Sequence, residues 1–253
     1  MNSRVRTMLI PVISVVIALL INAFIILMLG KNPLEAYIHL FTGAFGGRTA
    51  IAQTLIQATP LIYTGLAVAF AYQVRLFNIG AQGQIVVGGL AAAAVGAFVG
   101  NILINNIAVI LIVSATAGFV WAGIAGFLKA KLGVHEVIST IMLNYIALYL
   151  EQYLLNYPLK EGGPAGPSPQ TPPVADWVLF PKLIENTNLN YGFIVAILVA
   201  GIVYFVLYKT VTGFEIKSVG FNSTASENAG INVKWRIILA MGIAGAIAGL
   251  GGA

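Results

Sequence analysis

The sequence predicts an all-α membrane protein, a polytopic bundle of six complete spans and a begun seventh. Three observations predict it. First, 59% of the 253 residues are hydrophobic and only 8% are charged, where soluble domains carry roughly 25% charged residues. Thirteen basic and eight acidic side chains cannot coat a globule of this length. Second, the charges leave long gaps, and a membrane helix needs about 20 apolar residues. Third, Lys and Arg fall asymmetrically on the two sides that those gaps define. Strand-like alternation is missing from the gaps, which argues against a β-barrel.

The spans are expected at about 8–29, 51–74, 77–99, 104–128, 137–157, 188–208 and 237–253, within a single transmembrane domain covering 1–253. Met8–Leu29 holds 22 uncharged residues, longer than the roughly 7–15 of a signal-peptide core, so an uncleaved anchor is expected. Thr49–Val74 holds 26. Leu76–Leu128 holds 53, room for two spans with a turn near Gly100-Asn101 and Asn105-Asn106. Val137–Leu150 gives only 14, so the fifth span must carry Glu151 and Gln152 toward Tyr157. Asn186–Tyr208 gives 23, and Ile237–Ala253 gives 17 before the chain ends inside an apolar run. That ending is expected of a sequence truncated before its last spans.

With the N-terminus inside, the cytoplasmic face receives Arg4, Arg6, Arg75, Lys129, Lys131, Lys209, Lys217, Lys234 and Arg236. The outside receives Lys31, Arg48, Lys160 and Lys182. Nine against four is a positive-inside pattern and sets the orientation. The outer loop 158–187 is rich in proline and reads as an extended connector or as a platform for an extracellular partner. The inner loop 209–236 adds Glu215 and Glu227 to its basic residues.

Polar residues inside apolar runs are costly and face the bundle interior or a water-filled path. Gln53 and Gln57 sit one turn apart before Pro60, either bonding a neighbouring helix or lining a path. Phe77-Asn78-Ile79-Gly80-Ala81-Gln82-Gly83-Gln84 packs three amides and two glycines between apolar stretches. It predicts a broken helix or hairpin near Asn78–Gln84, either a path-lining break or an amide-capped turn. Asn144, Tyr145 and Glu151 lie along the fifth span; Glu151 is at the outer lip or on the path. Gly118, Ala122 and Gly126, and likewise Gly245 and Gly249, form small-xxx-small rows expected to pack helices. His135-Glu136 reads as an interfacial or capping pair.

Absences narrow the chemistry. With no cysteine there is neither a disulfide nor a thiol nucleophile. The sequence has no G-x-x-x-x-G-K-[ST] phosphate loop, no H-E-x-x-H and no G-x-S-x-G. Passage of a solute is expected, not chemistry upon it, and no cofactor is expected in this chain.

Three stretches resemble one family, the permease subunits of ATP-binding-cassette importers for nucleosides and simple sugars, related to branched-chain amino acid permeases. Leu76–Gln84 resembles its L-F-N-I-G-A-E-G-Q signature, with Gln82 where Glu is common. Glu136–Ile146 resembles N-E-V-I-S-T-I-M-L-N-Y-I, with His135 in place of the leading Asn. Gly213–Gly220 with Asn222, Ala225, Ala229, Gly230 and Ile231 resembles the loop G-x-x-x-R-A-V-G-x-N-x-x-A-A-x-x-A-G-I, with Lys217 for Arg, Ser218 for Ala and Ser226 for the second Ala. The likeness runs through about residues 50–253 and is nearest the nucleoside branch.

The resemblance implies a multi-pass subunit of a bacterial cell membrane, working with a second permease, cytoplasmic ATPases that bind ATP and Mg, and an extracellular binding lipoprotein. Nucleic acid is not expected as a partner. The implied path residues are Phe77, Asn78, Gln82, Gln84, Asn144, Tyr145 and Glu151, with Gln53 and Gln57. The implied ATPase-coupling residues are Glu215, Lys217, Gly220, Asn222, Ala225, Ala229, Gly230 and Ile231; a short helix with small residues can seat in a partner's groove. The alternatives are a permease for ribose or galactose, and a stand-alone secondary carrier.

Overall fold

The computed structural model describes residues 3–99 and 106–253. Among them are ten α-helices and one isolated antiparallel bridge, Lys182 to Asn190. The chain's packing divides it into two units, 1–54 and 55–253.

In the first unit, α1 (Ser3–Met28) leads into α2 (Pro33–Phe45). The two are bent by 119° across a short break. Asn32 sets the start of α2: its Oδ1 accepts from the Leu34 N–H at 3.0 Å, and Pro33 fills the first position, where no donor is needed. No residue of α2 is buried. The Tyr37 hydroxyl donates to the Leu19 carbonyl, tying α2 back to α1. This helix lies between the first two expected spans, a stretch to which the sequence assigned no element.

Helix α3 (Arg48–Tyr72) runs from the first unit into the second and carries Pro60 internally. Next come α4 (Ala81–Phe98), α5 (Ile107–Leu132), α6 (Glu136–Asn156) and α7 (Gly192–Lys209). The expected turn at Gly100, Asn101 and Asn105 lies outside the described residues. Asn106 is described, and it caps α5 by accepting from the Val109 N–H at 3.0 Å. Gly133, left-handed at φ 71, closes α5, its N–H donating to the Lys129 carbonyl at 3.1 Å.

The loop 209–236 is mostly helical: α8 (Val211–Phe221) and the single-turn α9 (Ser223–Asn228) precede α10 (Val233–Leu250). Thr210, Asn222 and Asn232 cap the three in turn, accepting from Gly213, Ala225 and Trp235 N–H groups.

Small residues hold the bundle together, as their spacing predicts. α5 and α10 cross at Gly118, Ala122, Gly245 and Gly249. A Cβ added at Gly118 would lie 2.9 Å from the Gly249 Cα. The buried Ser114 hydroxyl donates to the Gly249 carbonyl within this seam. Around it Phe70, Leu207, Ile216, Met241 and Ile247 join α3, α7, α8 and α10 in one buried cluster.

Among the described residues, five helices are long and apolar enough to cross a bilayer alone, and the bent pair makes up to six. Each expected span coincides with a helix, but α1 counts only together with α2 as the bent pair, and α6 is not among the five. Glu136, Ser139, Thr140, Asn144, Glu151, Gln152 and Asn156 make it too polar.

Candidate functional site

The break between α3 and α4 opens with a turn at 73–75, where Arg75 takes a left-handed φ of 60, and reaches a second turn at 79–80 through three irregular residues whose burial alternates. Leu76 and Asn78 are buried at 4% and 2% exposure, while Phe77 and Ile79 stand at 55% and 47%. The break is neither a continued helix nor a two-residue hairpin turn; a fresh helix begins at Ala81.

Two of the motif's three amides, Asn78 and Gln84, are spent inside the protein. Asn78 Nδ2 donates to Gln84 Oε1 at 3.0 Å, and Gln84 Nε2 donates back to Asn78 Oδ1 at 2.9 Å. Asn78 Oδ1 also accepts from the Gly80 N–H at 3.0 Å. From α6, Asn144 clasps the same turn: its Nδ2 donates to the Ile79 carbonyl at 2.8 Å and its Oδ1 accepts from the Gly83 N–H at 2.8 Å. These contacts satisfy backbone groups that a helix start leaves free and that lipid cannot satisfy. The approach requires glycine at position 83, where a Cβ would lie 2.9 Å from the Asn144 Cα. Thr140, fully buried, packs against Gly80 and donates its hydroxyl to the Glu136 carbonyl at 2.8 Å.

The remaining sequence-predicted path residues face outward or lie elsewhere. Phe77, Gln82 and Tyr145 are exposed around the break, and the Phe77 ring meets Tyr72 edge-on at 5.4 Å. Glu151 is half-buried further along α6, and Gln53 and Gln57 are exposed on α3. At the start of α6, Glu136 pairs with Lys129 of α5 at 2.8 Å, a contact that sequence spacing did not give away.

The loop 209–236 forms a second constellation. Glu215 of α8 is ion-paired with Arg236 of α10. Lys217 Nζ sits 4.4 Å from the Tyr208 ring centre. Both charged residues among those implied for ATPase coupling are therefore engaged within the chain. Gly220 lies flush against the Gln73 carbonyl and the Val74 backbone, so α8 rests on the first residues of the break. Asn222, Ala225, Ala229 and Gly230 are exposed, while Ile231 is half-buried against the core. Phe214, Ser218, Phe221 and Ala225 line a shallow apolar groove beside α9, and Phe221 is 82% exposed.

Among the described residues the fold is helical, with an amide-stitched break between α3 and α4 and an exposed apolar groove beside α9. Residues 50–253 match the family described as branched-chain amino acid transport system, permease component. The chain belongs to that family. Over its whole length the permease is 40% identical to the guanosine ABC transporter permease protein NupP of Bacillus subtilis, covering 73% of that protein. It is 38% identical, again over its whole length, to the nucleoside ABC transporter permease protein NupB of Lactococcus lactis, covering 71% of it. It is 32% identical over 96% of its length to the glucose ABC transporter permease protein TsgB13 of Haloferax volcanii, covering 66%. No solved structure matches. The permease is thus a multi-pass membrane component of a transport system.

Proposed function

We propose that the permease forms one half of the translocation path of an ATP-binding-cassette importer for nucleosides, with ATP hydrolysed by separate subunits. The observation that carries this reading is likeness along the entire chain to permeases named for guanosine and nucleosides. The N-terminus is cytoplasmic on the Lys and Arg distribution, which puts the loop 209–236 on the ATPase side. The α9 groove and exposed Phe221 are the docking surface, and Ala225, Ala229 and Gly230 allow close approach. A second permease completes the path, and a binding lipoprotein delivers solute at the proline-rich loop.

In this reading Asn78, Gln84 and Asn144 hold the break open and in place. Phe77, Gln82 and Tyr145 are the groups left free to meet solute, by stacking and by hydrogen bonds. Alternating access follows when the docked ATPases move α8, since Gly220 bears directly on Gln73 and Val74 at the mouth of the break.

Uptake of labelled adenosine tests the assignment, in a host lacking nucleoside transport and expressing the permease with its neighbouring transporter genes. Competition by guanosine and insensitivity to ribose are expected. Competition by glucose or ribose alone favours the second reading, a sugar permease, which the likeness to the glucose permease supports. Uptake by the permease alone under an ion gradient would mark a stand-alone carrier instead.

A further inference from the structure

Helix α6 has the length of a span without the apolarity of one, and its C-terminal half contains the reason. Tyr145, Tyr149 and Tyr153 recur every four residues, with Gln152 and Asn156 near them, which places all five on one side of the helix, and Tyr157 follows directly after its end. The tyrosines are 56–69% exposed, and both amides are exposed as well. A different side of α6 is occupied, because Asn144 and Ala147 pack against Gly83 of α4.

Depth decides what this side can face. At a rise of about 1.5 Å per residue, Tyr145 lies roughly 14 Å and Gln152 roughly 24 Å beyond Glu136, inside a hydrocarbon layer about 30 Å thick. An aromatic belt accounts for Tyr153 and Tyr157 near a membrane surface. It does not account for the phenols at Tyr145 and Tyr149, which acyl chains leave without partners. A shallow, open groove of about 450 Å³ runs along this side, lined by Tyr149, Gln152, Tyr153, Asn156, Tyr157 and Lys160. Lys160 Nζ donates to the Pro164 carbonyl at 3.2 Å, so the proline-rich loop walls the far end. The Tyr153 and Tyr157 rings lie 5.2 Å apart and tilted by 37°, presenting faces as well as edges.

We propose that this side of α6 is a stacking track of the translocation path, where a solute with a flat unsaturated ring, a purine or pyrimidine base, lies against Tyr149 and Tyr153. Gln152 and Asn156 take the hydrogen bonds of its ring edge or sugar hydroxyls. The inference rests on the nucleoside reading and adds which residues meet the base, well away from the break. Every base has a π-face to offer a tyrosine ring, and the contrast of adenosine with ribose in the test separates base stacking from sugar stacking.

These 253 residues hold no cysteine, so an introduced thiol is single among them, and thiols elsewhere in the transporter are first replaced. Tyr149→Cys and Gln152→Cys are placed singly in the whole transporter in sealed membrane vesicles and treated with a charged, membrane-impermeant thiol reagent. Leu198→Cys and Ile202→Cys, exposed apolar positions on α7, serve as lipid-facing references. The α6 cysteines are expected to react at least tenfold faster than the references, and saturating adenosine should slow them several-fold where ribose does not. Reaction no faster than the references places this side in lipid and overturns the proposal. Fast reaction that adenosine leaves unchanged, or protection present without solute because a second permease covers the side, overturns it equally. Adenosine uptake by the unmodified transporter separates the two failures: if uptake is normal, only the track is wrong; if it is missing, the nucleoside reading falls and the track with it. As a second measurement, Tyr149→Phe and Tyr153→Phe should keep the KM for adenosine within twofold, while Tyr149→Leu and Tyr153→Leu should raise it at least fivefold at equal membrane abundance. Equal effects of Phe and Leu would count against stacking.

Discussion

Asn78 and Gln84 form a closed amide pair, each donating to the other's carbonyl oxygen at 3.0 and 2.9 Å with both side chains essentially shielded from solvent. Such a pair is worth little while intact and much when half-removed, because the surviving amide keeps its desolvation cost without a partner. Asn78→Leu or Gln84→Leu should therefore lower stability by about 1–3 kcal/mol each. The double variant should cost clearly less than the sum, since residues in contact couple by about 0.5–3 kcal/mol. Thermal denaturation of detergent-solubilised protein followed by size exclusion checks the cycle. Additive costs would show that the pair does not hold the break.

The α5–α10 seam predicts a sharp contrast between two glycines on one helix. Gly118 faces Gly245 and Gly249 with no room for a side chain, whereas a Cβ at Gly123 meets nothing within 4 Å. Gly118→Val should force the helices apart and abolish recoverable folded protein, since overpacking a tight contact costs about 1–3 kcal/mol or more. Gly123→Ala should be neutral or slightly stabilising, because alanine is the better helix former by about 1 kcal/mol. Membrane abundance and melting temperature of the two variants distinguish them.

Glu215 and Arg236 join α8 to α10 by an ion pair whose side chains are only about one-fifth exposed, at 22% and 20%. Glu215→Arg puts two like charges together and should destabilise the loop 209–236, exposing it to proteolysis. The double reversal, Glu215→Arg with Arg236→Glu, should recover most of the resistance, since opposite charges face each other again. Limited proteolysis of membrane vesicles reads both outcomes. Failure of the double reversal would mean that either residue serves chiefly another contact.

The part of the fold set by periodicity and charge was legible in the sequence; the part set by long-range contacts was not. Uncharged runs marked the helices because lipid excludes charge, and Gly118, Ala122, Gly245 and Gly249 marked their packing because only small residues let backbones meet. Leu76–Gln84 announced a break. Its form depended on Asn144, more than sixty residues away, whose amide takes the Gly83 N–H that the helix start leaves free. The Glu215–Arg236 and Lys129–Glu136 pairs were likewise hidden, because neither partner's position along the chain fixes which face meets which. α2 was missed for a simpler reason: it is too short to cross a membrane and buries none of its residues, although Asn32-Pro33 and Glu35 form a recognisable helix start.

Gly220 offers the strictest test of how the ATPase side reaches the path. Its α-carbon lies against the Gln73 carbonyl, and an added Cβ would fall 3.2 Å from the Val74 Cα, so any side chain pushes α8 off the turn that opens the break. Position 220 is half-buried, and the rest of α8 keeps its own anchors: Ile216 in the core, the Thr210 cap and the Glu215–Arg236 pair. Gly220→Ala, the smallest side chain, should accordingly displace α8 from Gln73 while those anchors keep the protein folded, assembled with the proposed ATPases and able to sustain basal ATP hydrolysis. Nucleoside uptake should fall at least tenfold, a loss of about 1.4 kcal/mol or more in effective coupling. Measuring uptake and hydrolysis on the same vesicles makes the prediction sharp. If both fall together, Gly220 is needed for docking or folding; if neither changes, the contact between α8 and Gln73 does not transmit the stroke.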